Sequence, residues 1–416
     1  MEEANIKFNF NSKVVENTTM LYLYTFAKII FPLITLPYLT RVLSLNTYGM
    51  VSFVKAYMVY IQLFVDFGFI LSSVKEIVRA NKNNELIGLI VGQTIVAKII
   101  LSCISIVVTF FLIFMIDTLQ DNILFTFLSL LVIVVSSFLL DFLFRGIEEM
   151  KIFTFSFILM KAISTLLIIL LVKKDSHVLL IPVFDLLSSL VAILYTWTKI
   201  KELNILIRFE SLKKSIFMIK ESLTYFLSNV ATTAFGAFNT LLIGMVMSND
   251  QVAVWSVALY VISAINALYS PIVNGIYPNM IRTKSITFIK KTLFIFMPIV
   301  IIGSTFLFLL SDFVIFVMAG EQYAQASLIL KLLIPVLVFS FPSMILGWPT
   351  LGVIGKEKEV MFTTVITAIV QVSGLLLIVY IGEISLIQVA FFRSITELLM
   401  LLLRWGYVHR YKIDFD

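Results

Sequence analysis

One cysteine, two histidines and a charged fraction of only 13% mark what this 416-residue chain is without. The lone Cys103 excludes a disulfide framework and a cysteine metal site. His177 and His409 lie far apart, so they supply neither a His/Cys/carboxylate cluster of zinc spacing nor a Ser/His/Asp constellation. No Walker A loop is present: Gly355-Lys356 lacks the glycine five residues earlier and the Ser or Thr that should follow. The residues point neither to an enzyme nor to a bound cofactor. Uphill work would have to draw on an H+ or Na+ gradient, or on metabolic removal of product.

What is abundant is apolar. Hydrophobic residues make up 60% of the chain and the mean hydropathy is +1.04, whereas water-soluble proteins carry about 25% charged residues. The chain is expected to be an all-α integral membrane protein with twelve spans: 18–42, 48–73, 87–116, 122–144, 152–172, 177–198, 222–247, 252–280, 292–318, 328–352, 360–381 and 384–404. The first 17 residues are polar, and the apolar run that follows is too long for a signal peptide.

Charge placement orients these spans. The N-terminus, 74–86, 145–151, 199–221, 281–291, 353–359 and the tail from Arg404 carry 22 of the 31 Lys and Arg residues. The alternate connections hold only Arg41, Lys173 and Lys174. The positive-inside rule then places both termini in the cytoplasm. The +6 net charge needs no nucleic-acid partner, because these cations sit where anionic lipid headgroups attract them.

The most basic connection, 199–221, divides the chain into an N-terminal lobe (1–198, six spans) and a C-terminal lobe (222–416, six spans). Its interspersed Ile205, Leu206, Phe209, Leu212, Ile216 and Phe217 suit a helix lying in the interface. Six plus six spans suggests parallel repeats. At an offset of 204 residues, Ser44 and Ser52 fall on Ser248 and Ser256. All nine prolines lie within spans, and Gly347 to Gly355 is the expected unwound stretch. Gly88 and Gly92 have the spacing of a close-packing motif.

Four lysines stand deep inside apolar runs of the first half: Lys28, Lys55, Lys98 and Lys161. Each costs about 2.5–3.5 kcal/mol at the centre of a lipid-facing helix. Helical spacing sets each on a polar stripe: Thr18, Tyr22, Thr25 and Thr35 with Lys28; Ser52, Gln62, Asp66 and Ser73 with Lys55; Thr94, Ser102, Ser105 and Thr109 with Lys98; Thr154 and Thr165 with Lys161. A shared water-filled cavity accepting phosphate or carboxylate groups accounts for such stripes, with Lys28 and Lys98 the foremost candidates. The structural alternative is that the lysines pair with Asp66, Asp141 and Asp185 or snorkel to an interface. The second half offers mostly neutral faces, among them Asn229, Thr232, Asn239, Ser263, Asn274 and Gln371. Arg393 and Glu397, four apart near mid-span, suit an intrahelical ion pair. Glu397, like Asp66 and Asp185, is also a candidate for ion coupling.

Two stretches carry a family resemblance. PYLTRVL (Pro37 to Leu43), Tyr48-Gly49 and DFGF (Asp66 to Phe69), followed by a basic loop, resemble the opening of Wzx-type O-antigen flippases. Gly320-Glu-Gln-Tyr323, ILKLLIPVLVF and LGVIGKEKE (Leu351 to Glu359) resemble that family's later half. Leu43-Ser44 stands where the family commonly has Leu-Gly after TRV. The resemblance implies a MATE-like fold of two six-helix lobes around a central cleft, in the bacterial inner membrane. It implies flipping of undecaprenyl-diphosphate-linked oligosaccharide by alternating access. A polysaccharide polymerase and a chain-length regulator are the expected protein partners. The competing functional class is an antiporter exporting small organic cations, for which Asp66 and Asp185 would matter and the lysines would be an obstacle. A purely structural scaffold explains the topology but not the polar stripes.

Overall fold

A computed structural model describes residues 12–382 and 384–415, without the side chains of 12, 14, 228 and 231–235. The expectations for residues 1–11 and for Thr232 therefore lie outside the described residues. Among the described residues every regular element is helical: α1 (Ser12–Val42), α2 (Leu45–Asp66), α3 (Phe69–Arg79), α4 (Asn84–Ile113), α5 (Asp117–Asp121), α6 (Ile123–Ser136), α7 (Asp141–Gly146), α8 (Met150–Leu171), α9 (Leu180–Glu202), α10 (Leu212–Val246), α11 (Asn249–Ala267), α12 (Tyr269–Thr283), α13 (Ile286–Leu309), α14 (Ser311–Ala319), α15 (Gln325–Ile345), α16 (Glu357–Ile381) and α17 (Leu386–Arg410). Eleven helical stretches are long and apolar enough to cross a membrane. The seventh expected span coincides with α10, of which Gly236–Val246 forms a shorter apolar segment. The chain is a multi-pass membrane protein.

The paired serines of the sequence repeat are helix starts in both halves. Ser44 caps α2 by accepting from the Thr47 amide, and Ser248 opens α11 in a capping box with Gln251. Each half also breaks its helices at corresponding places. The α2–α3 break at Phe67 and Gly68 corresponds to the α11–α12 break at Leu268. The α6–α7 break at Leu140 corresponds to a π-helical turn at Leu346–Leu351, where Gly347 leaves helical geometry and Pro349 removes a donor. The expected unwound stretch is therefore found.

At the end of the bundle away from the two termini, the far end, the halves are closed on one another. Arg41 donates to the carbonyls of Val317 (2.6 Å) and Phe316 (3.3 Å) at the last turn of α14. Gln322 donates to the carbonyl of Thr40 and, at 3.4 Å, to that of Leu43. Tyr48 meets Tyr323 edge to face. α2 and α11 approach so closely that a Cβ on Gly49 would lie 1.8 Å from the Asn249 carbonyl. Near the terminal end, by contrast, Thr18, Tyr22, Thr25 and Lys28 of α1 and Asn274 and Tyr277 of α12 are exposed.

The linker differs from expectation. Residues 205–211 are extended rather than helical and lie along α4, with the Arg208 amide bonded to the Gly88 carbonyl at 3.2 Å and Asn84 donating to the Leu203 carbonyl at 3.0 Å. Gly88 and Gly92 thus admit the linker backbone, not a neighbouring helix. Leu212, Ile216 and Phe217 begin α10 itself and are exposed. Two cations assigned to loops are also displaced. Arg404 is buried within α17, which continues to Arg410, and Arg145 belongs to the buried helix α7.

Candidate functional site

The N-terminal half gathers charge where two helices break. α2 ends at Asp66, because Phe67 (φ 41°) and Gly68 (φ 79°) turn left-handed. The Asp66 carboxylate accepts hydrogen bonds from Gln62 at 2.6 Å and from Lys98 of α4 at 2.9 Å. α6 ends in a single 3-10 turn, and Leu140 at φ 53° redirects the chain into α7. A bulky residue in that region costs on the order of 1–2 kcal/mol, offset here by the burial of Leu140 in an apolar cluster. The turn brings Asp141 and Arg145, four apart on α7, into the interior. Asp141 accepts from the Phe142 amide at 2.9 Å. Arg145 keeps its Nε buried with no hydrogen-bond partner among the described residues. Such a desolvated donor costs on the order of 1–3 kcal/mol unless a water or ligand oxygen meets it.

The remaining lysines face this cluster from α1, α2 and α8. Lys28 is exposed, sits 5.5 Å above the Tyr24 ring, and feels the charges of Arg145, Asp141, Lys161 and Asp66. Tyr24 is held by an edge contact with Phe157 and a tilted one with Phe153. Lys55 is exposed between buried Val54 and Ala56, within range of Asp185 and Lys161. Asp185 is held by the Ser164 hydroxyl at 2.5 Å. Five cations therefore share one region with three carboxylates. Among the described residues the Lys98–Asp66 contact is the only ion pair in the cluster, so Lys28, Lys55 and Lys161 have no carboxylate bonded to them there. Lipid would not accept three such ammonium groups at this depth; a wet cleft does.

The structure separates the expected stripes into two kinds. The α1 stripe is exposed, and on α2 Lys55 is exposed while Gln62 and Asp66 are half-buried. The α4 stripe is not a cavity wall: Thr94, Lys98, Ser102, Ser105 and Thr109 are all buried. Two of its hydroxyls are satisfied between helices, Thr94 by Ser73 at 3.0 Å and Thr109 by Tyr57 at 2.7 Å, and Ser105 donates to the Leu101 carbonyl of α4 itself. On α8, Thr154 is likewise buried and donates to the Met20 carbonyl. Lys98 is thereby a buried partner of Asp66. Of the nine charged residues singled out in the sequence, Lys28, Lys55, Lys98, Lys161, Asp66, Asp141 and Asp185 come together. Arg145 joins them through the Leu140 turn, which neither a proline nor a glycine announces.

Arg393 and Glu397 lie apart from this cluster, in the other half. They form an ion pair at 2.7 Å, with Glu397 almost fully buried. Around them the polar groups are neutral: Gln371 donates to Asn239 at 3.1 Å, Thr396 donates to Gln371, and Ser340 donates to Asn266 at 2.6 Å. Arg404, on the same α17 stripe, is bound by neutral oxygens: the Ser343 carbonyl (2.8 Å) and hydroxyl (3.2 Å), Thr363 (3.3 Å) and Thr364 (3.0 Å). These hold α17 and α16 against the turn that follows α15. No group of three or more metal-ligating side chains occurs among the described residues.

Comparison with known proteins decides the family. A family model described as polysaccharide biosynthesis protein matches residues 14–284, well over half of the chain. The chain belongs to this polysaccharide biosynthesis protein family. Within it, the chain is 25% identical over 366 residues to a Shigella dysenteriae protein named "Putative O-antigen transporter", a match covering 86% of this chain and 90% of that one. It is 33% identical over 78 residues, 19% of each chain, to an Escherichia coli (strain K12) protein of the same name. The fold is similar to that of a multidrug resistance MATE family transporter of the MOP superfamily in an inward-facing conformation. The TM-score is 0.71 at 15% identity, covering 94% of each chain. The two-lobed MATE-like architecture expected from the resemblance is the architecture observed.

Proposed function

We propose that the chain flips undecaprenyl-diphosphate-linked O-antigen repeat units from the cytoplasmic to the periplasmic leaflet of the bacterial inner membrane by alternating access. The observation that carries this reading is the surplus of Lys28, Lys55 and Lys161, without ion-pair partners among the described residues: Lys28 and Lys55 are exposed, Lys161 is half-buried, and the Arg145 guanidinium lies inward of them. A diphosphate is compact, polyanionic and multiply accepting. Ammonium groups meet it as point charges, and a guanidinium meets it with a two-pronged donor. The glycan occupies the polar cleft and the polyprenyl tail stays in lipid between the lobes. Lys98 acts indirectly, by holding Asp66 at the α2–α3 break.

On this reading the terminal end faces the cytoplasm, in keeping with its basic loops. The far-end contacts of Arg41 and Gln322 close the periplasmic side and separate when the cargo is delivered. The Arg393–Glu397 pair is the candidate for H+ or Na+ coupling in the second lobe. Polymerase and chain-length regulator receive the unit on the periplasmic side. Export of small organic cations fits the site poorly, because Asp66 is already occupied by Lys98 and Gln62 and the surrounding charge is positive.

The deciding experiment deletes the gene and measures both surface O-antigen and lipid-linked repeat units. Loss of surface polysaccharide with accumulation of lipid-linked units on the inner leaflet is expected. Loss without accumulation sinks the proposal.

A further inference from the structure

The second lobe contains a cavity of about 200 Å³ that the cationic site does not use, bounded by Gly236 of α10, Leu259, Ser263 and Asn266 of α11, Leu333 of α15 and Arg393 of α17. Gly236 and Ser263 are exposed, so the cavity has a mouth, and among the described residues nothing lies within 4 Å of where a Gly236 Cβ would stand. α10 and α11, which help to wall it, are also helices against which α2, the carrier of Lys55, packs. Its volume is below the roughly 300 Å³ at which drug-sized sites begin. A group of about one ring fits.

The lining chemistry narrows the occupant. The Arg393 charge is cancelled by Glu397 at 2.7 Å, so an anion gains little there. Asn266 accepts from Ser340 at 2.6 Å through Oδ1, leaving Nδ2 as its donor, and Ser263 adds a hydroxyl. Leu259 and Leu333 supply an apolar wall. A neutral sugar ring matches every part: its hydroxyls both donate and accept, so they can use guanidinium, hydroxyl and amide together, while its C–H face lies on leucine.

We propose that this cavity is a glycan subsite that takes one neutral sugar ring of the cargo, leaving the diphosphate to the lysines of the other lobe. The inference rests on the flippase reading for the identity of the cargo, but the site itself is testable without it. The full chain in nanodiscs is presented with inorganic pyrophosphate, whose binding is read by 31P NMR line broadening, and with a panel of free neutral hexoses, 6-deoxyhexoses and N-acetylhexosamines, whose binding is read by saturation-transfer proton NMR. At least one sugar is expected to bind, and its binding to fall by about tenfold in Gly236→Leu, which fills the cavity, and in Asn266→Leu. Pyrophosphate binding is expected to stay unchanged in both. If no sugar in the panel binds, or if both variants bind sugar as the parent does, the subsite is overturned. Should Gly236→Leu fail to fold, seen as loss of pyrophosphate binding too, Asn266→Leu alone decides. Sugar binding without pyrophosphate binding in the parent would overturn the diphosphate site and leave this one standing.

Discussion

Lys98 donates to Asp66 at 2.9 Å across the point where α2 stops and α3 begins, one member almost fully buried and the other half-buried. The pair ties α4 to a helix break, where Gln62 also donates to Asp66 at 2.6 Å. Lys98→Met removes the counter-charge and strands the carboxylate. The cost should be about 1–3 kcal/mol, less than for a fully buried pair because Asp66 is 39% exposed. Adding Asp66→Asn should restore most of it. Denaturant unfolding of the purified chain in detergent measures both variants. A double mutant as unstable as the single one would show that the pair is not what holds the break.

Lys28, Lys55 and Lys161 are expected to behave differently from Lys98. Each lacks an ion-pair partner among the described residues, so removing one relieves repulsion in the folded chain while weakening attraction for an anionic cargo. Alanine at any of the three should leave unfolding unchanged or slightly improved. Flipping of lipid-linked units in reconstituted vesicles should slow by about tenfold per lost charge-assisted contact. Arg145→Lys should lose part of its contribution although the charge is kept, because the planar donor fork is gone. Unaltered flipping in all three lysine variants would remove the cationic site from the mechanism.

The linker seat gives a steric prediction. A Cβ at Gly88 would stand 1.9 Å from the Leu206 carbonyl and one at Gly92 would stand 2.2 Å from that of Arg208. Both obstacles are backbone, which cannot rotate away. Gly88→Ala and Gly92→Ala should each cost about 1–3 kcal/mol and lift residues 205–211 off α4. Limited proteolysis should then cut the linker faster. Gly303→Ala is the control, since nothing lies within 4 Å of its Cβ position. Equal cleavage in all three would contradict the close approach.

Legibility in the sequence followed the kind of physics involved. Hydropathy is a property of long segments, so membrane class and span positions were readable, as were the correspondence of Ser44 with Ser248 and the break at Gly347. Periodicity shows which side chains share a helix face but not what that face meets. The α1 and α4 stripes are alike as patterns, yet Lys28 is exposed and Lys98 is buried against Asp66. Arg145 was misplaced because its position depends on Leu140 adopting a left-handed conformation, which a leucine does not signal. Arg404 was misplaced because a cation at the end of an apolar run looks the same whether it meets headgroups or a helix break.

That arginine supports the last prediction. Arg404 spans from α17 to the end of α15 and to α16, with four hydrogen bonds to neutral oxygens, and its Nη1 would be 3.0 Å from a Gly347 Cβ. The guanidinium donates to the Ser343 carbonyl and hydroxyl at the end of α15 and to Thr363 and Thr364 of α16, and so pins the turn at Leu346–Leu351 between α16 and α17. Arg404→Leu therefore both empties the site and leaves Ser343 and Thr363 buried without it, a loss on the order of 3 kcal/mol. Arg404→Lys keeps the charge but reaches fewer of these oxygens at once, so its melting temperature should fall between those of the parent and Arg404→Leu. Thermal unfolding in detergent orders the three. Lysine as stable as arginine would mean that charge alone holds the turn, and leucine as stable as arginine would mean that the turn needs no donor at all.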